Sequence, residues 1–282
     1  MEGVRSQNHG YFEGVGRLRL HYRSWEVPAP RAALVLVHGL SDHSGRYAAF
    51  AETMADHGFS TFALDLRGHG YSAGRRGYVS RFDVFLQDLD RFRREVQGLI
   101  DVECPLFLLG HSMGGLIALR YLEEYDIPFR GAILVSPWLA TAAPVPRWKV
   151  ALAGMLNRAL PAFPFSARIK ADDLCRDPQV AAAYRDDPLV HGRITPRLFF
   201  EVSEAMSLVL RRSERIRVPL LFLLAGEDRL VETQRSLMFA RSLSGPDTTI
   251  RVLDGFYHEI LNEPDRAPVL AGILDWMAER LP

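Results

Sequence analysis

Between Leu106 and Leu122 the chain changes its pattern twice within a few residues. Leu106-Phe107-Leu108-Leu109 is a continuous apolar run of strand length, Gly110-His111-Ser112-Met113-Gly114-Gly115 follows, and Leu116-Ile117-Ala118-Leu119-Arg120-Tyr121-Leu122 opens an amphipathic helical pattern. A strand that turns into a helix over so few residues needs small residues beside the apex, because a Cβ at position 110 or 114 would meet neighbouring backbone. Such a turn lifts Ser112 out at the strand end, and its outline is that of a nucleophile elbow.

The short pattern alone is not selective, since Gly70-Tyr71-Ser72-Ala73-Gly74 repeats it. Context separates the two. Asp65-Leu66-Arg67-Gly68-His69 before Ser72 and Arg75-Arg76-Gly77 after it are polar and glycine-rich, which predicts a loop and makes Ser72 a turn residue. Ser112 alone has a strand on one side and a helix on the other.

Around the elbow, further strand-length apolar runs alternate with helical periodicity. Tyr11 to Trp25 predicts an antiparallel hairpin turning at Gly14-Val15-Gly16, and Ala33 to His38 a strand covered on both faces. Tyr47, Phe50, Ala51, Met54 and Ala55 predict a helix closed by His57-Gly58, Ser60 to Asp65 a strand, and Phe82 to Ile100 a long helix. Gly131 to Ser136, Pro219 to Ala225 and Thr248 to Leu253 read as later strands, with helices at Glu232 to Leu243 and Asp265 to Arg280. The alternation predicts an α/β fold with a mostly parallel central sheet wrapped by helices.

From Pro137 to about Arg212 that rhythm fails. An apolar helix near Trp148 to Leu160, a polar loop through Asp172-Asp173 and Asp186-Asp187-Pro188, and a second apolar helix near Phe199 to Val209 are expected, with no strand. The reading is one core in two parts, residues 1–136 and 213–282, interrupted by a helical cap at 137–212. Most of the cap's Trp148, Leu152, Met155, Leu156, Phe163, Phe165, Phe199 and Met206 are expected to pack on one another and on the core. An apolar insertion over an elbow also roofs an apolar pocket, which favours an acyl chain over a polar substrate.

Composition excludes several classes. Thirty-four basic residues balance 34 acidic ones, so no global field draws the chain to nucleic acid or an anionic surface. Cys104 and Cys175 give neither a disulfide framework nor a metal-ligand spacing, and each reads as a small buried apolar residue. The amino-terminal residues lack a signal-type apolar core, and no segment has the uninterrupted apolar length of a membrane span. A soluble cytoplasmic protein is the default expectation, with peripheral membrane contact through the cap left open.

An activated serine needs a base, a group that orients the base, and donors where the oxyanion forms. In elbow-type hydrolases the chain order is serine, acid, histidine, with the last two beyond late strands. Asp228 follows the Leu220 to Ala225 run and is the chosen acid, with Glu227 and Asp254 as rivals that also read as solvated loop carboxylates. His258 is the one histidine of nine that follows the acid. His38, His43, His69 and His111 fall near the expected site but precede it, which suits supporting or turn roles. The backbone N–H groups of Met113 and Leu40 are the expected oxyanion donors, Gly39 letting the chain turn inward at the second.

His38-Gly39-Leu40-Ser41-Asp42-His43-Ser44-Gly45-Arg46-Tyr47, Asp65 to Ser72, Gly110 to Gly115, Ala225 to Val231 and His258-Glu259-Ile260-Leu261-Asn262-Glu263 together resemble the monoacylglycerol lipase and lysophospholipase branch of the α/β-hydrolases. The resemblance runs nearly end to end and is thinnest in the cap, apart from Asp187-Pro188-Leu189 with His191-Gly192. It implies Ser112, Asp228 and His258 as triad, Leu40 and Met113 as oxyanion donors, and Arg46, together with His111, as contacts to the substrate. It implies a small lipid ester as substrate and no metal or organic cofactor. Asp42, after Ser41, stands where the family usually has a glutamate, one methylene longer. Arg46 reads equally as a structural ion-pair partner. Acyl thioesters, lysophospholipids, amides and short esters pass through the same intermediate, and a ligand-binding homologue without activity is the rival of another class.

Overall fold

The computed structural model describes residues 6–127, 129–245 and 247–282. Residues 1–5, part of the amino-terminal stretch read above for a signal-type run, lie outside them.

Strands β1 (Ser6–Glu13) and β2 (Arg19–Glu26) form an antiparallel hairpin in register from Ser6 opposite Glu26 to Glu13 opposite Arg19. Gly16 makes the turn between them with φ of 72°. Then follow β3 (Ala32–Val37), α1 (Ala48–Asp56), β4 (Phe59–Leu64), α2 (Asp83–Leu99), β5 (Leu106–His111), α3 (Met113–Glu124) and β6 (Gly131–Val135). The insertion holds α4 (Arg147–Ala159), β7 (Phe165–Ser166), α5 (Pro178–Asp186), β8 (Arg193–Ile194) and α6 (Pro196–Arg212). The chain returns through β9 (Leu220–Ala225), α7 (Thr233–Ser242), β10 (Thr248–Leu253) and α8 (Ala267–Ala278).

Eight strands make one sheet in the order β1-β2-β4-β3-β5-β6-β9-β10, parallel from β4 onward. Every residue of β3, β4, β5, β6 and β9 is buried, which is why these strands are continuous apolar runs and not alternating ones. The two-residue period still divides them. Leu34, Leu36, Phe107, Leu109, Ile133, Leu221 and Leu223 face α1 and α8 through Phe50, Met54, Ile273 and Trp276. Val35, Val37, Leu108, Leu134, Phe222 and Leu224 face the other layer, where Phe85, Leu89 and Phe92 of α2 and Leu116 of α3 pack. Each fully buried large side chain stabilises the fold by roughly 1.5–3 kcal/mol. Leu198, Val202 and Val209 of α6 join this second layer, so the insertion is rooted in the core.

The insertion departs from the sequence reading in two ways. Residues 178–186, expected as polar loop, form α5, with Pro178 in its first turn and the Asp177 carboxylate accepting from Gln179 N at 2.8 Å. Its buried face is only Ala181 and Tyr184, too thin a stripe to register as periodicity. Where no strand was expected, β7 and β8 pair antiparallel, each two residues long and too short to alternate. Among the described residues no helix is long and apolar enough to cross a membrane.

Because the central strands run parallel, the segments after β3, β5, β9 and β10 emerge on one side of the sheet. His38 to Leu40, Ser112, Asp228 and His258 all belong to those segments.

Candidate active site

Ser112 sits between β5 and α3 with φ of 54° and ψ of −117°, a backbone conformation costing about 1–3 kcal/mol that only tight surroundings maintain. Those surroundings are backbone. A Cβ on Gly110 would lie 2.4 Å from Gly114 O, and one on Gly114 would lie 2.1 Å from Val37 O. Ser112 N donates to Val135 O at 3.0 Å, tying the apex to β6, and Ser112 O accepts from Trp138 N at 3.0 Å. Ser72 differs in every respect. Its buried Oγ donates to Asp65 O at 2.5 Å and accepts from His21 N at 2.8 Å, stapling its loop to β2.

His258 Nδ1 lies 2.7 Å from Asp228 Oδ2, and Asp228 Oδ1 accepts from Leu230 N and Val231 N, each at 2.9 Å. Burial by itself pushes the Asp228 pKa up, but the His258 ring and the two amides outweigh it and hold the carboxyl below its ordinary value. Burial likewise opposes charge on His258, and the Asp228 carboxylate overrides it, raising the imidazole above 6.5. Glu227 and Asp254, the rival acids, are exposed. Ser112 and His258 line the same cavity.

Gly39 lies against the serine, since a Cβ there would be 3.1 Å from Ser112 Cβ, and Leu40 lines the cavity beside it. Met113 is the first residue of α3, so its N–H belongs to the open, electropositive end of that helix. His38 holds this turn. Its Nδ1 lies 2.7 Å from Gly39 O and its Nε2 accepts from Leu66 N at 3.0 Å.

Arg46 reaches the cavity with its guanidinium already engaged. Nη1 donates to Asp42 Oδ1 at 3.1 Å and to Glu259 Oε1 at 2.6 Å, Nη2 donates to Glu259 Oε2 at 2.7 Å, and the group stacks 4.7 Å over the Tyr184 ring. The ion-pair alternative for Arg46 thus has a structural basis. Tyr47 Oη donates to Asp42 Oδ2 at 2.8 Å and lies 2.9 Å from His111 Nδ1. Burial first, then the neighbouring His258, pushes the His111 pKa down to about 4, so its ring is neutral at pH 7. His43 Nε2 lies 2.8 Å from Asp187 Oδ2 in the insertion, and the His69 and His191 rings lie 4.6 Å apart, tilted by 53°.

The cavity these residues bound has a volume of about 640 Å³. Gly39, Leu40, Ser112 and His258 line it from the sheet side, and Trp138, Trp148, Leu152, Leu156 and Phe199 line it from the insertion. Asp42, Arg46 and Glu259 make one polar patch on a mostly apolar wall that Thr141, Lys149, Ser166, Arg168 and Thr195 also line. The arrangement suits proton transfer from a hydroxyl to a buried imidazole beside an apolar chain. Sequence reasoning passed over Glu259, Tyr47 and Tyr184. Glu259 directly follows His258, and a carboxylate next to the expected base was the available signal.

A family model described as "Serine aminopeptidase, S33" matches residues 28–265. A monoacylglycerol lipase of Mycolicibacterium smegmatis is 33% identical, covering 96% of each chain, and rat monoglyceride lipase is 34% identical, covering 93% of this chain and 88% of its own. The crystal structure of Paleococcus ferrophilus monoacylglycerol lipase superposes with a TM-score of 0.82 at 32% identity, over 98% of this chain and 99% of that one. An eight-stranded sheet with the elbow at its centre, a match across most of the chain and these relatives agree: the chain belongs to the serine aminopeptidase S33 family of α/β-hydrolases, as a serine hydrolase.

Proposed function

We propose that this protein hydrolyses monoacylglycerols, with Ser112 as nucleophile, His258 as base, Asp228 as the acid that orients it, and residues 137–212 as the cap over the acyl chain. The observation that carries the reading is the 2.7 Å contact between His258 and Asp228 opening, with Ser112, into an apolar cavity of about 640 Å³. The relatives whose names state monoacylglycerol lipase activity support the substrate class.

His258 takes the Ser112 proton as Oγ attacks the ester carbonyl, and the Asp228 carboxylate stabilises the imidazolium that results. The oxyanion rests on the Leu40 and Met113 amides, each such donor being worth roughly 2.7–4 kcal/mol of barrier. His258 then protonates the leaving glycerol oxygen, and water, deprotonated by the same ring, releases the fatty acid. Neutral His111 and the Arg46 patch border the alcohol side in this reading. Arg46 keeps its carboxylate partners and offers the glycerol its remaining N–H groups.

The cap also favours work at a membrane surface. Trp148, Met155 and Phe163 are exposed by 66%, 70% and 50%. Residues 140–171 carry five cations, Arg147, Lys149, Arg158, Arg168 and Lys170, and no acid. Such a face suits an anionic bilayer from which a single-chain lipid is drawn.

Purified protein assayed on monoacylglycerols of increasing chain length, lysophospholipids, acyl thioesters, short esters and peptide amides tests the function. Preference for medium or long monoacylglycerols is expected, and an acetate-favouring profile overturns the acyl-pocket reading. Fluorophosphonate should label the wild type and Ser72→Ala but not Ser112→Ala; an unlabelled wild type would favour a binding protein. Flotation with anionic vesicles, lost in Trp148→Asp, checks the membrane face.

A further inference from the structure

The segment carrying His258 is held from the cap at both of its neighbouring amides. Glu259 N donates to Leu174 O at 2.7 Å, so the residue after the histidine is fixed directly. Tyr257 N, before it, donates to Glu263 Oε1 at 2.9 Å. Glu263 is fully buried, and cap residue Arg176 holds it twice more, Arg176 N donating to Oε1 at 3.2 Å and Arg176 Nε to Oε2 at 2.7 Å. Between these two ties the Cys175 thiol donates to Asn262 O at 3.2 Å. Three consecutive cap residues thus run along the loop from Tyr257 to Glu263.

We propose that Leu174 to Arg176 form a brace through which the cap sets the position of His258, with Arg176 and Glu263 as positioning residues for the reaction. The proposal rests on the reading of His258 as the base. A peptide amide in the interior keeps its partner because an unpaired one carries a large desolvation penalty, so these bonds are not readily exchanged for water. The His258 ring is anchored at Nδ1 by Asp228, but the direction in which it presents Nε2 follows the backbone on either side. Loss of the Arg176 guanidinium leaves the buried Glu263 carboxylate with the two amide donors alone. The carboxylate then draws in water or turns, and the Tyr257 amide moves with it. A base displaced by even 1 Å loses roughly 100-fold in rate.

The test uses Arg176→Ala, Arg176→Lys and Glu263→Gln in the full chain. Readouts are kcat and KM on a short soluble nitrophenyl ester, which does not need the cap's apolar roof, the fluorophosphonate labelling rate, and the low-field proton resonance of the His258–Asp228 hydrogen bond. Arg176→Ala is expected to lower kcat and the labelling rate roughly 10- to 100-fold with KM little changed, and to shift or broaden the resonance. Arg176→Lys should recover part of the loss. Glu263→Gln, which keeps the shape of the brace, covers the case in which the alanine variant does not fold, and a several-fold fall in kcat is expected of it. Folded variants with wild-type kcat, labelling and resonance overturn the brace. Absence of labelling in the wild type would instead overturn the catalytic reading, so the two failures are told apart.

Discussion

Gly114→Ala is the sharpest test of how the elbow is built. The added Cβ would lie 2.1 Å from Val37 O, 2.6 Å from Val37 C and 2.6 Å from His38 O, all of them backbone atoms that no rotamer change can move aside. A comfortable carbon-to-carbonyl approach is about 3.3 Å, so β3 and the elbow must separate by about 1.2 Å. His38 leads directly into Gly39 and Leu40, so the separation moves one proposed oxyanion amide away from Ser112 while the other stays on α3. Overpacking of this kind costs about 1–3 kcal/mol. For a chain of this size that lowers Tm by roughly 2–12 °C. Misplacing one donor by about 1 Å lowers kcat about 100-fold. Steady-state hydrolysis of a nitrophenyl ester and a thermal scan measure both. Gly98→Ala, on the exposed side of α2 with nothing within 4 Å of its Cβ, should leave kcat unchanged and stabilise by up to about 1 kcal/mol. A Gly114→Ala enzyme with wild-type kcat and Tm would refute the reasoning.

Three further outcomes follow from the same geometry. Asp228→Asn, which keeps the shape but lets His258 adopt the wrong tautomer, should lower kcat by about 10⁴ in single-turnover assays. In the proposed mechanism the rate needs His258 neutral, so kcat/KM should fall as pH drops through a midpoint above 6.5. Asp228→Asn, by removing the carboxylate that raises it, should move that midpoint down in a pH–rate profile. Tyr47→Phe strips the buried Asp42 carboxylate of one donor and leaves His111 Nδ1 without its neighbour, which should cost about 1–3 kcal/mol in denaturant titration.

The core was legible because its five central strands are buried on both faces and helices such as α1 and α2 on one. Apolar runs at Ala33 to His38 and Leu106 to Gly110 therefore give their positions to within a residue or so. Ser112 and Ser72 were told apart by their flanking patterns, and the structure places them to match: Ser112 lies between β5 and α3, while Ser72 lies in a loop with its hydroxyl bonded to Asp65 O and His21 N. What stayed hidden depends on long-range pairing. Arg46 and Glu259 are 213 residues apart, and Arg176 and Glu263 are 87 apart, so neither pair leaves a periodic trace. Helix α5 escaped because two buried residues in nine do not make a stripe.

The place where the insertion leaves the sheet limits how freely it can vary. It departs from β6, the strand lying between β5, which leads to Ser112, and β9, which leads to Asp228. On departing, it pairs with the acid's own loop: Thr141 bridges Val231, Ala142 N donates to Leu230 O at 3.0 Å, and Glu232 N donates to Ala140 O at 3.0 Å. Leu230 and Val231 are the residues whose amides hold the Asp228 carboxylate. Further on, Leu174 and Arg176 grip the histidine loop, and α6 buries Leu198, Val202 and Val209 in the core. A change at any of these points reaches Asp228, the His258 loop or the core packing as well as the cavity. Helix α4 is the exception, having no buried residue while contributing Trp148, Leu152 and Leu156 to the cavity wall. Substitutions there can reshape the cavity without touching a hydrogen bond to the loops that carry Asp228 and His258. Acyl-chain preference is accordingly the property that α4 can alter independently of the chemistry, whereas the segment from Leu174 to Arg176 cannot be altered without it.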